Sequence, residues 1–495
     1  MKKIVIIGGG LGGLSLAIRL QSRGYQVAIL EKSSQVGGHA SQLKQGGYTF
    51  DLGPSLFTAP EIVRNLFSYA GMRMEDYLDL ILLDPFYRIY FHDGSHLDYS
   101  GDSDRMREQM SRFDPHDARK YEKFIARSGA IYRFIIDLGY GSRPFDSWVT
   151  MLKFIPQALK LQAFLPAYHL STRYFRDFRH RFAFSFHPLF LGGSPFRTPA
   201  VYQMIPYLEK TEKVWYSRGG MYSLVEALAA LFQSLGGEIC TEHEVLRILV
   251  KDRRACGVET GQKTLHADAV VSGIDLQHTY GSLLAPEYRR KWSDRRLRRV
   301  RYGMSAFLIY LGVRKKFPQL QHHTLILSKR YRSLVRDIFD RHVLPEDFSM
   351  YLHVPSRTEA AMAPPGCESM YVLVPVTNLN GNVSWEAKAH PYSQTILDYL
   401  EHDFGLDGLQ EAIEVKRIFT PLDFARQRNC HEGAPWSLEP LFTQTAIFRP
   451  QNRSEDVEGL YLVGASTHPG AGVPGVLLTA EATEAVILQD LPPSV

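Results

Sequence analysis

The chain has 495 residues, of which 45% are hydrophobic and 22% charged, and a formal net charge of +5. That length calls for more than one substructure, and that composition excludes a largely disordered chain. The mild charge gives no reason to expect nucleic acid as a partner.

Lys2 and Lys3 precede an apolar run from Ile4 to Ile18, the outline of a signal peptide. Five glycines fall inside the run and no cleavage site follows, so it reads as structure. Lys3 to Ile7 is β-branched and predicts a buried parallel strand. Gly8, Gly10 and Gly13 follow at GxGxxG spacing, with Gly12 between them. Leu14, Leu16, Ala17 and Leu20 then recur at helical intervals, and a second strand from Tyr25 to Leu30 ends at Glu31 and Lys32. This is a βαβ unit with an acidic residue about twenty positions beyond the glycines, the pattern of a dinucleotide site. Gly8 serves the tight turn, Gly10 the approach of a pyrophosphate, and Gly13 close helix–strand packing. The helix N-terminus faces the phosphates, and Glu31 suits a ribose and repels a 2′-phosphate.

Gly37-Gly38-His39-Ala40 and then Gly53-Pro54-Ser55 come next. Glycines soon after the ribose acid, then a short strand ending in Gly-Pro-Ser, suit a chain that keeps tracking a long cofactor, which favours FAD over NAD. From Met151 to Leu170 apolar residues mix with Lys153 and Lys160, and from Arg173 to Arg181 cations alternate with aromatics. Both stretches suit a helix lying in a lipid headgroup region. Gly219-Gly220 precede a helix from Ser223 to Phe232, a strand begins at Gly236-Gly237-Glu238-Ile239, and Val245 follows. The basic run Arg289 to Arg301 predicts a solvated helix face, and Ala306 to Val313 and Met370 to Val376 predict strands.

Near the C-terminus Gly459 to Val463 reads as a strand, Gly464-Ala465 permits backbone to approach a ligand, and Pro474-Gly475 opens a helix from about Val476 and Leu477 to Leu488. Gly470, Gly472 and Gly475 repeat the GxGxxG spacing, but too little chain follows for a second strand and ribose acid. Cys240, Cys256, Cys367 and Cys430 form no CxxC pair, which argues against a disulfide framework or a zinc site. No metal is expected, and no stretch is long and apolar enough to span a bilayer.

These residues resemble the bacterial-type phytoene desaturases, a branch of the FAD-containing amine oxidase superfamily. The most specific segment runs from Leu460 to Gly475. Others are Gly433 to Arg453, with Ser437-Leu438-Glu439-Pro440 and Phe448-Arg449-Pro450, and Phe186-His187-Pro188 to Phe196. The resemblance implies an α/β protein, α+β overall: a Rossmann-like FAD-binding domain and an amine-oxidase-like substrate domain of mixed sheet plus helices. The expected division is 1–79, 210–282 and 425–495 for FAD, with Val245 meeting the adenine. The substrate part is 80–209 and 283–424, with 115–205 mainly helical and membrane-contacting.

The resemblance further implies an FAD-dependent oxidoreductase acting on CH–CH groups, which desaturates phytoene to a lycopene- or neurosporene-type carotene. Hydride would pass from an allylic carbon to the flavin, and a proton would then be lost from the allylic cation. A diapophytoene desaturase, a carotenoid isomerase or a terminal carotenoid oxidase uses the same fold, and an isoprenoid-binding escort protein would use it without flavin. The expected partners are a long polyene, a membrane surface, and quinone or oxygen as electron acceptor. The expected location is cytoplasmic, on the inner face of the cell membrane. Two positions depart from the family pattern: His39 stands where Arg or Lys is frequent, and Val149-Thr150 where some members carry Arg-Asp. Glu439 is the first candidate base or cation stabiliser and His468 the second.

Overall fold

The computed structural model describes residues 1–493. Its first layer is a five-stranded, all-parallel sheet in the order Glu238–Cys240, Gln26–Leu30, Lys3–Ile7, Ala269–Ser272, Leu460–Leu462. Helices cover one face of this sheet and the antiparallel strands Val245–Lys251 and Arg254–Thr260 pack on the other, so both faces are buried and its strands are apolar throughout rather than alternating. Ile4, Val5, Ile6 and Ile7 are all buried. Helices Leu11–Ser22, Tyr222–Ser234 and Val473–Asp490 share one core with this sheet. Chain from the start, middle and end of the sequence thus meets in one layer.

Three glycines let that layer close. Gly8 has φ +94, a conformation that L side chains rarely adopt. A Cβ on Gly13 would overlap the carbonyl oxygen of Gly8, so the helix can lie against the strand only with glycine there. One on Gly12 would stand 3.2 Å from Gly464 Cα.

The second layer is a seven-stranded mixed sheet: Ile413–Phe419, Ser305–Val313, Glu368–Val376, Met350–His353, His323–Ile326, Tyr87–Tyr90, His96–Tyr99. Its strands alternate in the ordinary β sense. Phe307, Ile309 and Leu311 point with Met370, Val372 and Val374 into a core closed by Trp385 and Ile396. Ala306, Leu308, Tyr371 and Leu373 point the other way, into a large cavity. From Pro115 to Met204 most of the chain is short helices.

The strands expected near Ala306 and Met370 form, as does the helix near Ser223. The basic run does not form the expected continuous helix face. Only Asp294–Leu297 is helical, and Asp456 accepts hydrogen bonds from the N–H groups of Arg290, Lys291 and Trp292, folding the run back on the protein. In the Arg173 to Arg181 segment Phe175 and His180 are buried, Arg179 pairs with Asp93 and Asp177, and Phe178 stays exposed. Among the described residues no helix is long and apolar enough to cross a membrane.

Candidate functional site

A cavity of ≈ 540 Å³ runs between the two sheets. It reaches the carboxyl ends of Lys3–Ile7 and Gln26–Leu30, where an open α/β sheet binds its ligands. Gly8, Gly10 and Gly12 line it, followed by Glu31 and Lys32. A Cβ on Gly10 would meet nothing within 4 Å, so the loop presents bare backbone to open space. Glu31 Oε2 accepts from Gly9 N and Oε1 from Ser33 N, both at 2.9 Å. Val245 lines the same end beside His243 and Glu244.

Further in, Gly38, His39, Gly53, Pro54 and Ser55 line the cavity. A Cβ on Gly53 would overlap the His39 carbonyl, which fixes glycine there. Gly464, Ala465, Gly475 and Val476 close the far side, at the N-terminal end of the helix Val473–Asp490. That 18-residue helix aims unpaired N–H groups and its positive dipole end at the cavity. A dinucleotide extended by an aromatic ring system fits these parts: an acid for ribose, bare backbone for pyrophosphate and a helix end for the ring.

Two expected contacts do not line the cavity. Gly13 is spent on the helix–strand approach, and Leu477 turns into the core beneath the parallel sheet. Burial and the nearby Arg428 push the His39 imidazole down to about 4, so this ring is neutral at pH 7. The cation that sequence reasoning missed is Arg428, which lines the cavity and donates to Ser41 Oγ at 2.6 Å. Its signal was present: Thr420, Pro421 and Asp423 form a capping box that starts the helix ending at Arg428.

Neither proposed acid–base residue reaches the cavity. Glu439 is buried, and its Oε1 accepts from Arg197 Nη2 at 2.9 Å. It borders a separate polar cavity with Arg301 and Glu432. Burial raises its carboxyl above the usual range while Arg197 opposes the rise. His468 is held by the Tyr140 carbonyl at 2.9 Å, and burial lowers its imidazole to about 4. It faces a smaller apolar cavity of ≈ 100 Å³. Tertiary packing thus turns both side chains away from the place where their sequence neighbours line the main cavity.

Residues 11–487 match the family model of the flavin containing amine oxidoreductases. The chain belongs to that family. It is 42% identical over 496 residues to a lycopene-forming phytoene desaturase from Pseudescherichia vulneris, covering 99% of this chain and 100% of that protein. A lycopene-forming phytoene desaturase from Pantoea ananas is 40% identical (99% and 100%), and a neurosporene-forming one from Rhodobacter capsulatus 38% (97% and 93%). Among solved structures, wild-type putrescine oxidase bound to putrescine superposes with a TM-score of 0.66 at 13% identity, over 99% of both chains. An oxidoreductase from Methanosarcina mazei gives 0.62 at 16%, covering 98% of this chain and 100% of that one. At such identities the structures show the fold alone. The family and the cradle described above make this chain an FAD-dependent oxidoreductase of the phytoene desaturase type.

Proposed function

We propose that this protein desaturates phytoene to a conjugated carotene, taking the substrate from a membrane. The observation that carries the reading is an apolar cavity leading inward from a dinucleotide cradle, in a chain 42% identical along its length to a lycopene-forming phytoene desaturase. FAD, when bound, supplies the hydride acceptor that no side chain offers. Glu31 would hold its ribose, the Gly8–Gly12 loop its pyrophosphate, and Gly53, Pro54, Ser55, Gly464, Ala465, Gly475 and Val476 its inner half. Arg428 supplies the positive charge that His39 lacks. The wall of Ala306, Leu308, Leu325, Leu373 and Pro375 lies along the polyene and keeps water from the allylic cation.

The approach to this cavity supports the membrane reading. Helix Trp148–Lys160 buries Met151, Phe154 and Ala158 and leaves Trp148 63%, Leu152 66% and Leu159 60% exposed. Lys153 and Lys160 flank that exposed apolar arc. Rings and chains that dip below headgroups, bordered by lysines at headgroup height, make an interfacial helix. Phe442 and Phe448, also exposed, stand beside it, with Phe448 6.2 Å from Trp148. Beneath the helix lies the ≈ 100 Å³ apolar cavity, which shares Ile135, Gly141, Tyr202 and Met204 with the main one. In this reading a polyene leaving the bilayer passes inward across the apolar wall that the two cavities share. A membrane quinone dissolved in the same leaflet, or oxygen, is the electron acceptor in this reading.

Expression in bacteria that accumulate phytoene, with a parallel strain accumulating the thirty-carbon analogue, tests the assignment. Colour in the phytoene strain, with two hydrogens lost per step by mass, is the expected result. Colour in the thirty-carbon strain alone reassigns the substrate, and unchanged mass with altered geometry makes the protein an isomerase.

A further inference from the structure

One wall of the cavity carries a polar chain that begins at Ser55, on the edge of the cofactor cradle, and leads away from it. Tyr351 and Tyr371, on neighbouring antiparallel strands, both meet Ser55 Oγ, at 2.6 and 2.8 Å. All three line the cavity. Behind the wall, the Tyr351 hydroxyl stands 2.6 Å from His323 Nδ1. His323 is the register partner of His353, and the two rings stack at 5.2 Å. His353 Nε2 lies 3.1 Å from His322 Nε2, and His322 Nδ1 2.6 Å from Thr358 Oγ1. Thr358 is only half-buried, at the outer end of the chain.

Three buried imidazoles are costly in a sheet that aliphatic side chains would fill more cheaply. The cost is visible: His323 Nε2 and His353 Nδ1 have no protein partner. Yet one ring nitrogen from each histidine lies within 4.8 Å of the others, a span that one bridging water covers. Burial holds His322 near 3 and the other two well below the usual imidazole range, so all three rings are neutral. A neutral imidazole has a donor on one side and an acceptor on the other, and passes a proton by taking it at one nitrogen and releasing it at the other.

We infer that Tyr351, His323, His353 and His322 form a relay that carries the proton lost at each desaturation out of the apolar cavity, with Ser55 orienting its first hydroxyl. The inference rests on the desaturase reading above. Once hydride has gone to the flavin, the C–H bond beside the allylic cation breaks and its electron pair becomes the new C=C. The proton goes to Tyr351 Oη as the phenol's own proton moves to His323 Nδ1. His323 releases its Nε2 proton through the bridging water to His353 Nδ1, His353 passes its Nε2 proton to His322 Nε2, and His322 gives its Nδ1 proton to the Thr358 hydroxyl as that hydroxyl releases its own proton to solvent. An allylic cation is acidic enough to protonate a neutral hydroxyl, so no carboxylate is required. The burial that keeps the rings neutral also makes each imidazolium short-lived, so the proton does not dwell.

The experiment uses the FAD-loaded enzyme and phytoene in liposomes, with Tyr351→Phe, His323→Gln, the double variant and His353→Gln. The relay predicts unchanged FAD content and KM with kcat reduced about 10²-fold in each single variant. The double variant falls no further than the worse single one, because both groups act on the same proton. His353→Gln touches neither cavity nor substrate, and its loss of kcat stands for the relay if Tyr351→Phe does not fold. Single variants with kcat within about threefold of the parent, or losses that multiply in the double variant, overturn the relay. So does a stoichiometric divalent metal in the parent that His323→Gln removes, since three imidazoles are also a zinc donor set. A parent that leaves phytoene unchanged overturns the desaturase reading itself, a result distinct from active variants of an active parent.

Discussion

Glu31 Oε2 accepts a hydrogen bond from the backbone N–H of Gly9 at 2.9 Å. The same carboxylate takes Ser33 N on its other oxygen, so one side chain fixes both the glycine loop and the turn after the second strand. In the function proposed above its role is double: it orients the bare backbone for the pyrophosphate and keeps lone pairs for the ribose. Glu31→Gln presents an NH₂ group where an acceptor is needed. The expected loss is about 1–3 kcal/mol, a roughly 5- to 150-fold larger FAD dissociation constant. A fluorescence titration of the apoprotein with FAD measures it. An unchanged constant would mean that Glu31 does not contact the cofactor.

A second test turns on Asp51, which is fully buried and accepts from Met221 N at 3.0 Å, ahead of the helix Tyr222–Ser234. Desolvation, the largest influence, raises its carboxyl to about 7. A carboxyl raised in the folded state binds its proton more tightly there than when unfolded. This group's contribution to stability is therefore full below the unfolded value near 4 and declines as pH rises toward 7. Asp51→Asn keeps an oxygen acceptor for Met221 and cannot ionise. The expected result is a higher thermal midpoint than the parent at pH 8 and a difference near zero at pH 4.5. A difference independent of pH would exclude Asp51 as the titrating group.

The parallel sheet and the dinucleotide cradle were legible in the sequence because backbone geometry dictates their residues. Gly8 needs its positive φ, and Gly13 and Gly53 need the absence of a Cβ, so the chemistry is written in local spacing. Strand and helix limits near Lys3, Ser305 and Tyr222 followed from apolar periodicity to within a residue or two. Glu439 and His468 were misplaced for the opposite reason. They sit in recognisable segments, but the direction of each side chain is set by distant partners, Arg197 and Tyr140. The histidine chain was invisible for the same reason: His323 and His353 become neighbours only through strand pairing. The Arg289 to Arg301 run was misread because composition alone does not show that Asp456, far along the chain, gathers three of its N–H groups.

The last test separates membrane docking from catalysis. Trp148 and Leu152 lie one helical turn apart on the exposed arc of Trp148–Lys160, and neither lines the main cavity. Burying apolar side chains in a bilayer is worth about 1.5–3 kcal/mol each, and a charge on the same arc reverses that gain. Trp148→Glu with Leu152→Glu is therefore expected to weaken flotation with liposomes by 100-fold or more, about 3 kcal/mol. Bound FAD and the thermal midpoint should stay those of the parent, because both positions face away from the core. Desaturation of phytoene held in liposomes should fall with the bound fraction, and phytoene delivered in detergent micelles should restore much of it. If liposome binding survives the double substitution, docking lies on another face and the apolar path beneath this helix is not the route inward.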